Sequence, residues 1–314
     1  MASVVAFGET MLDIHPCRSD SEQSVYLAGA CGNLAANVSL LGGKSALITK
    51  FVDDGIGRWM LDRLKDYGVN VSGILLSEKG QNAVNFVLPS NKGDMYEFVT
   101  YSQGIGDIQE KEIPYHVLNG YDVFHFGSYS VCSCNQGTVD ACITYVKDRG
   151  KKVSYDVNYR PGFWENDRQA QECIHKYIDL ADYVKMNLRE AQLFLNNAGT
   201  AEDCANNIRR LNLSKMIFLT DAGNGSYLIH KDWAAYVPGV GCNAVDTLGA
   251  GDAYYAVILR HIDTHSFQKD EVVSVMKEAN YIASKGTMYY GTIMALKKAI
   301  AALEDVPGGK EAER

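Results

Sequence analysis

The sequence has no excess of positive charge. It contains 30 lysine and arginine residues against 38 aspartate and glutamate residues, which gives a formal net charge of −8 at pH 7. Proteins that bind nucleic acids or anionic membranes present clustered positive charge, so the composition argues against both partners. A small ligand held in a cleft is more compatible with this composition. Local cations are then needed only where that ligand carries phosphate.

Long apolar runs and targeting signals are also lacking. No stretch approaches the ~20 apolar residues that a membrane-spanning helix requires. The N-terminal residues Met1 to Gly8 have neither the basic segment nor the cleavage site of a signal peptide. The eight cysteines occur without the spacing of a zinc site or a CxxC redox pair. These absences predict a soluble, cytoplasmic protein with no membrane partner.

The sequence does contain a regular alternation of two patterns. Short apolar runs that favour strands alternate with amphipathic stretches of helical periodicity. The predicted strands are Val4–Phe7, Ala46–Thr49, Val123–Phe126, Val153–Val157 and Met216–Thr220. The predicted helices include Asn33–Leu41, Gly57–Tyr67 and Gln169–Leu180. This alternation is typical of βαβ units and predicts a doubly wound, mostly parallel α/β sheet flanked by helices.

Two segments interrupt the alternation. Residues from about 14–28 and 83–103 are polar, extended and rich in aromatic side chains. We interpret them as strands of a small β-sheet lid on a single α/β domain that spans residues 1–305, with a flexible tail at 306–314. Such a lid can cover a ligand or pair with a second subunit, and the sequence alone does not separate these roles.

The most informative motif begins at Asp246 and reads Asp-Thr-Leu-Gly-Ala-Gly-Asp, ahead of a helical run over Tyr254–Ile262. Gly249 and Gly251 flank the small residue Ala250, so this backbone can approach a ligand closely. The N–H groups at the start of the helix then form an anion site that the helix dipole strengthens. The amides of residues 249–251 are therefore candidates for an anion hole.

Asp252 ends this motif and carries the chemical argument. A carboxylate beside a bound phosphate is repelled unless it has another task, and taking a proton from an attacking hydroxyl is such a task. Phosphoryl transfer requires such a base together with donors for the migrating phosphoryl oxygens. We therefore predict phosphoryl transfer with Asp252 as the base. The alternative is a glycine-rich helix start in which Asp252 is an ordinary cap.

Further motifs favour the catalytic interpretation through a family resemblance. The segment Asp246–Asp252 resembles the C-terminal signature of the ribokinase-like (PfkB) carbohydrate kinases. The segment Ala28–Asn37 resembles their N-terminal signature, although Ala28 and Cys31 replace the usual glycine and proline. The resemblance extends from Gly8 to about Gly291 and is strongest to the fructokinase and 2-keto-3-deoxygluconate kinase branch. It implies an ATP-dependent sugar kinase that uses Mg²⁺.

The resemblance also implies which residues contact the sugar. These are Asp13, Gly29, Asn33, Asn158 and Arg160. The residue types agree with this role, because a carboxylate can accept two hydroxyl hydrogen bonds and an amide offers both donor and acceptor. Two alternatives are an Asp13 that is only a surface turn acid and an Arg160 that simply pairs with Asp156.

A second implied set contacts the nucleotide and the cations. The nucleotide-binding residues are Asn187, Thr220, Gly225, Gly249, Gly251 and Asn280. Asn187 and Glu190 would hold Mg²⁺ through water, and Asp246 would bind a monovalent cation such as K⁺. Glu190 as a plain helix acid is the alternative. In the loop that ends at Gly225, Ala222 stands where the family usually has a glycine.

The lack of one arginine favours a neutral sugar as the acceptor. Kinases for 2-keto-3-deoxygluconate in this family usually carry an arginine after the lid aromatics, whereas this chain has Ser102. We therefore expect fructose as the acceptor, with 2-keto-3-deoxygluconate, a nucleoside or another sugar as alternatives. A homodimer formed through the lid is the expected assembly. A catalytically silent, sugar-binding regulatory protein is the alternative from another functional class.

Overall fold

The computed structural model describes residues 2–15, 25–89, 96–103, 107–132, 135–195, 198–262 and 268–304. The predicted tail at 306–314 lies outside the described residues, as do residues 16–24 of the first predicted lid segment. No helix within the described ranges combines the length and the apolar content needed to cross a membrane.

The strands are, in chain order, β1 (Val4–Phe7), β2 (Met11–Ile14), β3 (Val25–Ala28), β4 (Ser45–Val52), β5 (Asn70–Ser77), β6 (Gln81–Pro89), β7 (Tyr96–Gln103), β8 (Val123–Gly127), β9 (Lys152–Asp156), β10 (Tyr183–Asn187), β11 (Met216–Thr220), β12 (Gly225–Ile229) and β13 (Ala234–Pro238). The helices are α1 (Ala30–Leu40), α2 (Gly55–Asp66), α3 (Tyr115–Asn119), α4 (Tyr129–Cys132), α5 (Gln136–Lys147), α6 (Asp167–Leu180), α7 (Leu188–Phe194), α8 (Ala201–Arg210), α9 (Ala250–His261), α10 (Lys269–Gly286) and α11 (Thr292–Glu304).

The main sheet has the strand order β13-β12-β11-β10-β9-β8-β1-β4-β5 within the described residues. Neighbouring strands from β11 to β5 are parallel, and β12 and β13 are antiparallel additions at one edge. The chain moves outward from β1 in both directions, so the order reverses beside β1. Ligand crevices of open α/β sheets lie at the carboxyl ends of the strands at such a point. The predicted doubly wound architecture is confirmed.

The central strands are apolar along their whole length because helices cover both faces of the sheet. In β1, Val4 and Ala6 belong to a core that includes residues of α1, α2, α9, α10 and α11. Val5 and Phe7 belong to a second core that includes residues of α3, α5, α6, α7 and α8. All four side chains are at most 1% exposed. Two helix layers therefore sandwich the sheet.

The predicted helices form, but they begin two or three residues earlier than their apolar periodicity indicates. Helix α2 begins at Gly55 because the Asp54 side chain accepts a 2.8 Å hydrogen bond from the Gly57 N–H. Asn166 caps α6 in the same way through the Gln169 N–H. These capping residues are polar, so apolar periodicity does not register the first turn.

The lid is a separate four-stranded sheet with the order β3-β2-β6-β7. Its β2–β6 pair is parallel, and its other two pairs are antiparallel. The predicted small β-sheet is thereby confirmed, although β2 begins at Met11, ahead of the predicted lid segment. One face carries Asp13, Asn85 and Thr100, which are linked side chain to side chain. The other face exposes four large apolar side chains: Phe86, Leu88, Val99 and Tyr101.

The loop between β11 and β12 yields a prediction about stability. Gly225 has φ +124°, and a Cβ there would lie 2.3 Å from the Val237 carbonyl oxygen, so Gly225→Ala forces the backbone apart. Ala222 has φ +44°, which strains a residue that carries a Cβ. We expect Gly225→Ala to destabilise the protein by roughly 3 kcal/mol, and Ala222→Gly to stabilise it by roughly 0.5 kcal/mol. Thermal unfolding followed by circular dichroism measures both, and shifts of the same sign would contradict this account of the loop.

Candidate active site

Asp252 lies in the first turn of α9, at the carboxyl edge of the sheet. The helix begins after Gly249, whose φ of +74° lies in the left-handed region. A Cβ on Gly249 would lie 2.9 Å from the Thr292 Cβ, so a larger residue does not fit there. The N–H groups of Gly251 and Asp252 point out of the helix start, where no carbonyl of the preceding turn can reach them. The geometry of this turn is therefore that of an anion site.

The Asp252 carboxylate is held by a residue from the other end of the chain. Its Oδ2 accepts a 2.7 Å hydrogen bond from Asn33 Nδ2 in α1. Asn33 Oδ1 in turn accepts a 3.0 Å hydrogen bond from the Thr292 hydroxyl at the start of α11. Asn33 is therefore fixed at both ends of its amide, and it aims Asp252 in one direction.

The charge of Asp252 is tuned by its surroundings. Burial, and to a smaller extent the nearby Asp156 carboxylate, raise the pKa of Asp252 to about 6, even though Lys185, the Asn33 hydrogen bond and Arg160 each lower it. The side chain still keeps part of its surface accessible. A carboxylate with a pKa near 6 is ionised at neutral pH and is a stronger base than an ordinary aspartate.

Of the predicted sugar residues, Asn33 bonds to Asp252 directly and its N–H donates to the Gly29 carbonyl, while Asp13 lies close enough to Asp246 for that carboxylate to raise its pKa. Asp13 lies on β2 and is only 4% exposed, and burial raises its pKa to about 7 against the 3.1 Å hydrogen bond from Asn85. Gly29 has φ +101° and precedes α1, where a Cβ would lie 2.7 Å from the Glu9 carbonyl oxygen. Only glycine permits this close approach between the strand end and the helix start.

Asn158 and Arg160 lie just after the end of β9. Asn158 has φ +34°, an uncommon conformation for a residue with a side chain. The exposed Arg160 donates to the Tyr159 carbonyl, and its charge lowers the pKa of Asp252. Asp156 does not take Arg160 as its partner. It pairs with Lys185 at 3.0 and 3.1 Å, so the alternative of an Arg160–Asp156 pair is wrong.

Asn187 and Glu190 form a reciprocal cap at the start of α7. Asn187 Oδ1 accepts from the Glu190 N–H at 2.9 Å, and Glu190 Oε2 accepts from the Asn187 N–H at 2.8 Å. Glu190 Oε1 accepts from the Tyr159 N–H at 2.8 Å. Each carboxylate oxygen keeps further lone pairs, so the buried Glu190 can orient water around a cation. The oxygens of Asn187 and Glu190 are compatible with an Mg²⁺ ion held through water, as the family resemblance implies, and this role stays a prediction.

Three further predicted nucleotide residues lie at the end of β11, at the start of β12 and in α10. Thr220 ends β11, and its hydroxyl lies 3.5 Å from the Met186 carbonyl oxygen. Gly225 begins β12 after the strained Ala222. Asn280 uses its amide to join α10 to the sheet edge, accepting from Ser226 and donating to the carbonyls of β13. A nucleotide contact by Asn280 thus stays a prediction.

Asp246 anchors the loop that leads into α9. It is 2% exposed, and its two oxygens accept from the Leu248 N–H at 3.0 Å and the Gly291 N–H at 3.1 Å. The carboxylate therefore ties the start of the motif to the start of α11. Its unused lone pairs are compatible with the predicted cation role, which stays a prediction.

Three charged residues near Asp252 were missed by the sequence reasoning. Glu9 is 5% exposed and accepts from the Ala30 N–H at 3.0 Å, and burial raises its pKa to about 7. Its Oε2 is buried without a partner among the described residues. Lys185 and Asp156 form the buried pair. The signal was present, since Lys185 is a charged residue inside the otherwise apolar run of β10.

The chain is similar to known proteins along nearly its whole length. The family model described as pfkB family carbohydrate kinase matches residues 1–299. Fructokinase-2 of Oryza sativa subsp. japonica is 32% identical, over 96% of this chain and 93% of that protein.

Two solved structures share the fold. A Xylella fastidiosa fructokinase with bound ATP aligns with a TM-score of 0.83 at 21% identity, covering 96% of this chain and 98% of that one. A double mutant of Vibrio cholerae O395 fructokinase, in its form with fructose, ADP and potassium ion bound, aligns with a TM-score of 0.82 at 23% identity and the same coverage. The match along nearly the whole chain assigns this protein to the PfkB family of carbohydrate kinases.

Proposed function

We propose that this kinase transfers the γ-phosphoryl group of ATP to a hydroxyl of fructose. The observation that carries the proposal is Asp252, a carboxylate with a pKa of about 6 at the N-terminus of α9, aimed by Asn33. The base and the helix amides lie side by side, as the attacking hydroxyl and the migrating phosphoryl group require.

Each residue of the site has a separate role in the proposed phosphoryl transfer. Asp252 accepts the proton of the sugar hydroxyl as the hydroxyl oxygen attacks the γ-phosphorus of ATP, whose bond to the bridging oxygen breaks to release ADP. Of the anion hole expected at residues 249–251, the Ala250 N–H already donates to the Thr247 carbonyl at 3.3 Å. The N–H groups of Gly251 and Asp252, together with the Arg160 guanidinium, therefore stabilise negative charge on the migrating group. Asp13, Gly29, Asn33 and Asn158 hold the sugar. The nucleotide would lie along Asn187, Thr220, Gly225 and Asn280. Asn187 and Glu190 would hold Mg²⁺ through water, and the ion would supply positive charge to neutralise the phosphates.

Fructose as the acceptor rests on two supports. The curated relative above is named a fructokinase, and one of the structural relatives holds fructose. In addition, the chain has Ser102 where the resemblance would place an arginine in kinases for sugar acids. A buried carboxylate without a cation costs a few kcal/mol, which favours a neutral sugar. We place the enzyme in the cytoplasm, in contact with neither membrane nor nucleic acid, and include K⁺ beside Asp246 as an activator.

The lid supports a homodimer as the assembly. Phe86 and Tyr101 contact each other with ring centroids 5.9 Å apart, and they are 37% and 62% exposed on the face opposite Asp13. Leu88 and Val99 extend this apolar face. The sheet also has two edges, since β3 and β7 are its terminal strands. A second copy that packs against this face and pairs with an edge strand, in a two-fold arrangement, would bury the apolar side chains and satisfy unpaired backbone groups.

The first prediction concerns the base. Asp252→Asn should lower kcat by roughly 10²–10⁴ with little change in KM, because the amide cannot take the hydroxyl proton. Asp203→Asn is the matched control, since Asp203 holds the same third position in the first turn of α8. ADP release in the presence of fructose measures both. If Asp252→Asn retains near-normal kcat, Asp252 is not the base.

The second prediction concerns the acceptor. Fructose should be phosphorylated with a kcat/KM at least about tenfold above that of 2-keto-3-deoxygluconate, because one charge pair is worth more than about 1.4 kcal/mol. Ser102→Arg should narrow this ratio. A better rate with the sugar acid would reverse the assignment, and no ADP release with any sugar would favour the silent regulatory protein.

The third prediction separates the two faces of the lid. Phe86→Asp places a charge on the apolar outer face and should convert a dimer at micromolar concentration into a monomer in sedimentation velocity. Phe98 is 44% exposed but lies on the Asp13 face, so Phe98→Asp should keep the dimer and raise KM for the sugar. A wild-type monomer, or a dimer unaffected by Phe86→Asp, would rule out this interface.

A further inference from the structure

A buried ion pair lies at the carboxyl ends of two neighbouring strands. Lys185 of β10 pairs in register with Asp156 of β9, and its Nζ lies 3.1 and 3.0 Å from the two carboxylate oxygens. The side chains are only 8% and 3% exposed. Taking both charges out of water costs several kcal/mol, and an apolar pair often stabilises such a position as well. Stability alone therefore does not explain why a charged pair occupies this position.

The Lys185 ammonium group lies directly against the first turn of α9, which carries Asp252. A Cβ built on Gly251 would fall 2.9 Å from Lys185 Nζ, so the missing side chain of Gly251 is what leaves room for the cation. Gly251 precedes Asp252 in the same helical turn. Within the described residues the lysine thus places a positive charge beneath both the base and the helix amides.

The charges around Asp252 come from several elements. Glu9 follows β1, Asp156 and Arg160 lie at and after the end of β9, Lys185 belongs to β10 and Glu190 to α7. Arg160 is exposed, and solvent weakens its effect. Lys185 is the buried cation of this group, so its charge acts on Asp252 with little screening.

We propose that the Lys185–Asp156 pair is a positioning pair for the reaction, in which Lys185 keeps Asp252 ionised and Asp156 limits how strongly it does so. This inference rests on the proposed role of Asp252 as the base. Without Lys185 a larger share of Asp252 would already carry a proton at neutral pH, and that share could not accept the proton of the sugar hydroxyl. Without Asp156 the unopposed cation would make Asp252 a weaker base.

The two members of the pair act on Asp252 with opposite signs, which a purely structural role would not produce. The Lys185 charge lowers the pKa of Asp252, whereas the Asp156 charge raises it. Lys185→Met should therefore raise the pKa of Asp252 by about one unit, and Asp156→Asn should lower it by a comparable amount. The double variant should titrate between the two single variants.

The test is a titration of the ligand-free protein labelled with ¹³C at aspartate side chains. The Asp252 signal is assigned by its loss in Asp252→Asn. Lys152→Met is the matched control, because Lys152 pairs with Asp182 at the other end of β9, with side chains 34% and 30% exposed. That variant should leave the Asp252 titration unchanged.

Opposite shifts in the two single variants, with none in the control, support the proposal. Unchanged titration, or shifts of the same sign, would overturn it. If Lys185→Met does not fold, Asp156→Asn decides by itself, and a downward shift supports the proposal while any other result overturns it. The titration needs no substrate, so a failure of the kinase assignment would appear separately, as wild-type protein that phosphorylates no sugar.

Discussion

The hydrogen bond between Asn33 and Asp252 is the contact on which the site depends. It joins α1, which carries most of the N-terminal motif, to α9, which begins within the C-terminal motif, and spans 219 residues of sequence. Both helices belong to the same core on one side of the sheet. The packing of α1 against α9 thus fixes the direction of the Asp252 carboxylate, and Thr292 fixes the other side of the Asn33 amide. Two distant motifs become one site because apolar residues behind them pack together.

Burial of acidic groups is the second constraint. Glu9 and Asp13 have pKa values raised to about 7 and Asp252 to about 6, in each case mainly because the carboxyl group is removed from water. Three ionised carboxylates in one crevice would repel phosphate, and raised pKa values lessen that charge near neutral pH. The lid contributes Asp13, the segment after β1 contributes Glu9 and the first turn of α9 contributes Asp252, so the electrostatics depend on the assembled site and on no single segment.

Much of this arrangement follows from local sequence. The strands at residues 4–7 and 216–220 have the predicted bounds, because short apolar runs between polar residues have one stable placement in a sheet covered on both faces. The α9 turn was predictable from Gly249, Gly251 and Asp252. The Lys185–Asp156 pair and the Asn85–Asp13 bond were not, since they depend on strand register between segments far apart in sequence. The partners of Asn280 in α10 could not be predicted for the same reason, because all three lie on β12 and β13.

The central claim is that Asp252 must lose its proton before phosphoryl transfer to the sugar can begin. The most direct measurement is the pH dependence of kcat/KM for fructose in the wild-type enzyme between pH 5 and 8. The account predicts a single rising limb with a midpoint near the Asp252 pKa of about 6, below which activity falls tenfold per pH unit. A profile that stays flat through this range would contradict a base with this pKa.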